Sequence, residues 1–292
     1  MYSKAVSRGD RAVNKVRKMT KEYAYLLDQK VVTDTDLLKA ISISIKTDAS
    51  IEATLINHFQ VPKEVIGKSL SSYHGCKFIT DDPQMPVALE MFTDLDKSIL
   101  LNGCWVPLSW DQKGIVVLVD DPSDVEKQAM IKTVLRTEWI IFAVGIKEDI
   151  EALIHRSFYQ LEIDDFVTEL VSEKKPIDIK RLVNALISEA YLKGASDIHF
   201  EWSVSPDKNR IEFRMDGVLR EYMTVSDAEA DDIVERIKSM ANFDVGDSQL
   251  HKVGYIMFRR DGLPEFKVTV TMHPNDGLRE EVVLKIPNAR DH

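Results

Sequence analysis

Residues 194–221 read GASDIHFEWSVSPDKNRIEFRMDGVLRE, and the fold can be worked outward from them. Gly194 closes a helix whose apolar spacing covers Ile179–Lys193, because glycine enters the left-handed C-terminal position without a Cβ penalty. Three stretches of β pattern follow: Asp197–Trp202, Arg210–Met215 and Leu219–Thr224. Asp216-Gly217 lies between the last two as a tight hairpin turn. The same order then recurs. Residues 226–242 predict a helix with Ile233, Ile237 and Met240 on one face, and Tyr255–Arg259, Glu265–Met272 and Glu281–Ile286 predict three more strands. Helix, three strands, helix, three strands is an α+β sheet domain, assigned to residues 177–287.

Upstream the pattern changes twice. Residues 4–75 read as short helices, with Leu37, Leu38, Ile41 and Ile45 at helical spacing after the caps Thr33 and Asp34. Pro62 suits the first turn of the next helix. Trp105–Leu108 and Ile115–Val119 then flank Asp111-Gln112-Lys113-Gly114 as a β-hairpin. Asp120-Asp121-Pro122-Ser123-Asp124 starts a helix to about Leu135, Trp139–Ile146 is a strand, and Lys147-Glu148-Asp149 opens a helix to about Tyr159. Residues 1–160 therefore form a helical plus small α/β domain. The acidic stretch 161–176, ending in Lys174-Lys175-Pro176, is the linker candidate. The fold class of the chain is α+β: this helical plus small α/β domain is followed by the α+β sheet domain.

Composition narrows the function. The chain has 292 residues, 44% hydrophobic and 29% charged, within the range of a water-soluble globular protein. No apolar run reaches the ~20 residues of a membrane helix, and the first residues lack the apolar core of an export signal. Two cysteines, Cys76 and Cys104, are too few for a disulfide framework, so the expected compartment is the cytoplasm. The net charge of −10 argues against nucleic acid, whose phosphates require a basic surface. The basic start (Lys4, Arg8, Arg11, Lys15, Arg17, Lys18, Lys21) reads as a solvated terminus that could also meet an anionic surface.

Five strings in order carry a resemblance: Leu182-Val183-Asn184, Gly194 to His199, Phe213 to Glu221, Ile237 to Ala241, and Glu281 to Ile286. Together they resemble the PAS-like sheet domain that precedes the motor in the type II secretion and type IV pilus assembly ATPases. The first half is similar to the preceding domain of that family through Trp105-Val106-Pro107-Leu108, Val119-Asp120-Asp121-Pro122 and Lys147-Glu148-Asp149-Ile150. The resemblance implies a partner-binding first domain, which engages the cytoplasmic part of an inner-membrane platform protein. It implies a second domain that docks on an ATPase motor domain. The expected place is the cytoplasmic face of the inner membrane, reached through the partner.

The departures from the family matter as much. No glycine of the sequence stands in a Gly-x-x-x-x-Gly-Lys-Ser/Thr loop, the device that wraps phosphate and magnesium. The chain is thus expected to be no enzyme alone, with no catalytic residue and no cofactor of its own. ATP and Mg²⁺ would be met only through a motor domain, its own if the chain is a fragment or a paralogue's if it is not. The resemblance implies that arginines on the sheet reach toward that nucleotide, and Arg214 and Arg220 are the candidates. Glu212 stands where a cation usually does, and Phe266 to Thr271 lacks the family's arginine. The cyclic di-GMP motif of related first domains is replaced by Ser50-Ile51-Glu52, with Phe59 at the later glycine, so dinucleotide binding is not expected.

Other chemistry is thin. Alternation puts Asp197, His199 and Glu201 on one face of a strand, yet His199 beside carboxylates reads as structural. His251 and His273 have no second ligand at metal spacing, so no metal site is expected. Cys76 and Cys104 read as small core residues, and Trp105, Trp110, Trp139 and Trp202 as core or edge fillers. Two rival readings stand beside the adaptor. One is a small-ligand (nucleotide) sensor with a PAS-like pocket. The other is a structural subunit that forms a homo-oligomer.

Overall fold

The computed structural model describes residues 21–82, 85–172, 178–203, 209–243, 251–260, 263–274 and 280–287. Most of the basic start lies outside these residues. The described chain divides into two compact units. The first runs to Asp81 and resumes over Pro86–Ile154; the second takes Asp82–Met85 and the chain from His155.

The first unit opens with four short helices: α1 (Ala24–Asp28), α2 (Asp34–Thr47), α3 (Ile51–Phe59) and α4 (Lys63–His74). Side chains set their starts. Thr33 and Asp36 form a reciprocal capping box at α2, and Ser50 Oγ accepts from Ala53 N at α3. Pro62 is the N-cap of α4, one position before the first turn expected for it. Tyr23, Leu26, Leu37, Ala40, Leu55, Ile66 and Leu70 bury the apolar stripes of these helices against one another. After a 3₁₀ turn (Leu89–Phe92) and α5 (Lys97–Gly103) comes the sheet of β1 (Trp105–Asp111), β2 (Gly114–Val119) and β3 (Ile140–Val144). β1 and β2 pair antiparallel as the expected hairpin, while β2 and β3 pair parallel across α6 (Val125–Leu135). Gly114, at φ 133°, is obligatory: a Cβ there would lie 2.4 Å from the Trp139 carbonyl oxygen.

α7 (Lys147–Ser172) corrects the linker reading. The helix does not stop near Tyr159 but continues through residues 161–172. Glu162, Asp164 and Asp165 lie on its exposed side. Ile163 and Phe166, three residues apart, are buried in the second unit's core. Residues 173–176 of the linker candidate lie outside the described residues.

The second unit holds α8 (Ile179–Leu192), β4 (Asp197–Glu201), β5 (Asn209–Met215), β6 (Val218–Val225), α9 (Asp227–Met240), β7 (Lys252–Phe258), β8 (Phe266–His273) and β9 (Glu281–Lys285). The strands form one sheet in the order β6-β5-β4-β9-β8-β7, every pair antiparallel. Alternate residues (Ile198, Phe200, Ile211, Phe213, Val268, Val270, Val282, Leu284) share one core with α8, α9 and the α7 pair. The order places β9 beside β4, with Asp197 opposite Lys285, although these strands lie far apart in the chain.

Candidate functional site

Within the second unit, the helices cover one face of the sheet, and among the described residues of that unit no helix covers the other, open face. Register assigns that open face to Arg210, Glu212 and Arg214 of β5, to Asp197, His199 and Glu201 of β4, and to Lys285, Thr269 and Tyr255 farther along. Arg214 makes three polar contacts there. Its Nε lies 3.3 Å from Asp197 Oδ2, Nη1 donates to the Gly217 carbonyl at 3.3 Å, and Nη2 lies 3.2 Å from His199 Nε2. A guanidinium can only donate, so the acceptor in this contact is His199 Nε2. His199 is therefore satisfied by an arginine rather than by a carboxylate. Glu212 faces His199 across the strands and lies 3.7 Å from Arg210, whose other partner is Glu201 at 2.8 Å.

Arg220 is elsewhere. Register pairs it with the core residue Phe213, whereas Arg214 pairs with Leu219. The two arginines therefore point to opposite faces, and the structure does not bring them together. Arg220 is exposed and has no ion pair among the described residues.

The remaining candidates sort by burial. Cys104 is buried and Cys76 half-buried, and burial pushes both thiols above the ordinary range, which leaves them protonated and poor nucleophiles. Trp105 is fully buried, but Trp110 and Trp139 are exposed and fill no core. His251 and His273 do meet across β7 and β8, with ring centroids 4.4 Å apart, a contact that sequence spacing could not reveal. Among the described residues no group of three or more His, Cys, Asp or Glu is placed to hold a metal. At the position of the lost dinucleotide motif, Ser50 caps α3, and Glu52 accepts a hydrogen bond from the buried Tyr23 hydroxyl. Among the described residues no helix is long and apolar enough to cross a membrane.

The Glu52 contact yields a pH test. Burial pushes the Glu52 carboxyl above its ordinary value, the Tyr23 hydrogen bond opposing this in part. A raised carboxyl contributes stability below its unfolded pKa and loses it as pH rises through the folded value. Glu52→Gln keeps an acceptor for Tyr23 without that ionisation cost. It is expected to raise the melting temperature at pH 7 and to lose this advantage near pH 4 and below, as read by calorimetry across pH.

Residues 172–290 match the model of the type II/IV secretion system protein family, and residues 74–163 match the MshEN domain. The type IV pilus assembly ATPase PilB of Thermus thermophilus is 22% identical over 232 residues, covering 73% of this chain and 25% of that protein. The type II secretion system ATPase E of Vibrio cholerae is 35% identical over 121 residues, 40% of this chain and 23% of that protein. PilB of Myxococcus xanthus is 25% identical over 280 residues, 89% of this chain and 49% of that protein. A solved structure of MshE with cdg is similar over 47% of this chain and 97% of its own, at 15% identity and a TM-score of 0.38. An MshEN domain followed by a secretion-protein sheet domain defines the class. The chain belongs to the type II secretion and type IV pilus assembly ATPase family and carries its N-terminal region. It spans a quarter to a half of the length of these curated relatives.

Proposed function

We propose that this chain is the non-catalytic adaptor region of a secretion or pilus assembly ATPase, working at the cytoplasmic face of the inner membrane. The first unit binds the cytoplasmic part of an inner-membrane platform protein. The second docks on a motor domain, its own or a paralogue's, and presents Arg214 toward the nucleotide held there. The observation that carries this reading is the open sheet face, where Asp197 and the Gly217 carbonyl hold an always-charged guanidinium in a set direction. The sequence itself offers no triphosphate cradle. Its nearest string, Gly67-Lys68-Ser69, lies inside helix α4, with Pro62 where the first glycine of the loop would stand.

The test is a phosphate-release assay on the purified chain, alone and titrated into a motor domain of the family. The expected result is no release by the chain alone and a saturable change in the motor's rate. Release by the chain alone that survives repeated purification rules the reading out.

A further inference from the structure

A cleft of about 520 Å³ opens in the first unit between α4, Tyr25 of α1 and the segment from Lys77 to Thr80. That volume is within the usual range for small-molecule sites. Tyr25 and Phe78 give it aromatic walls. The Phe78 ring lies so close to α4 that a Cβ on Gly67 would be 2.2 Å from it, so glycine at this position lets ring and helix touch.

The polar groups are unequally committed. Lys63 is paired with Asp149 at 2.7 Å, Thr80 Oγ1 donates to the same carboxylate, and Ser71 Oγ donates to the Cys76 carbonyl. Lys68 and Lys77 are exposed and have no partner among the described residues, and Glu64 is the one carboxylate in the lining. Two uncommitted cations beside aromatic walls suit a flat apolar body that carries a phosphate. We propose that this cleft binds a sugar phosphate ester that carries an aromatic base, of mononucleotide size, as an effector site separate from motor docking. The proposal does not rest on the adaptor reading.

The test uses the whole chain in isothermal titration with AMP and GMP, and with adenosine and ribose 5-phosphate as the two halves of the ligand. The expected result is saturable binding of at least one nucleotide, with each half at least tenfold weaker. Lys68→Ala/Lys77→Ala should weaken that binding at least tenfold and leave the unliganded melting temperature unchanged, because both side chains are exposed. The proposal is overturned if neither nucleotide saturates at millimolar concentration, if ribose 5-phosphate binds as well as the nucleotide, or if the double variant binds like the parent.

Discussion

Glu280→Ala is expected to cost the second unit about 3–5 kcal/mol, since it strands a buried ammonium without its counter-charge. Lys238 of α9 and Glu280, the residue before β9, form an ion pair, and both are almost fully buried. The Glu280 carbonyl also accepts from Trp202 Nε1 at 2.6 Å, which ties the start of β9 to the end of β4. For a unit of this size the loss corresponds to a fall in melting temperature on the order of 10 °C or more. Removing both charges with Lys238→Met/Glu280→Leu should recover most of it, because well-packed apolar residues often replace a buried pair without net cost. Calorimetry of the single and double variants decides the matter. A single variant within about 1 kcal/mol of the parent would mean that the Lys238 ammonium reaches water.

Much of this fold was legible because its signals are local. Asp216 and Gly217 both take positive φ, 51° and 79°, as a tight hairpin turn requires. Asp124, Asp178 and Ser226 each cap the helix that follows. The linker reading failed because acidic residues on one side of α7 outweighed Ile163 and Phe166 on the other. What depended on long-range pairing was not readable: the β9–β4 neighbourhood, the meeting of His251 with His273, and a cleft built from residues 25, 63–72 and 77–80. The separation of the arginines is an intermediate case. A two-residue turn at 216–217 already pairs 214 with 219 and 213 with 220, so their opposite faces were implicit in the turn.

That separation makes the docking proposal sharply testable. Arg214→Ala is expected to reduce the chain's effect on a motor domain's phosphate-release rate at least tenfold, because a charge-assisted contact to phosphate is lost. The cost to stability should stay below about 1 kcal/mol, since the Asp197 pair is partly exposed to water. Arg214→Lys keeps the charge but cannot reach Asp197, His199 and the Gly217 carbonyl together, so it should recover only part of the effect. Arg220→Ala lies on the opposite face and should change the rate little. Equal losses from Arg214→Ala and Arg220→Ala would exclude docking through the open face. An unchanged rate in Arg214→Ala, with binding intact, would reduce Arg214 to a tie between β4, β5 and their turn.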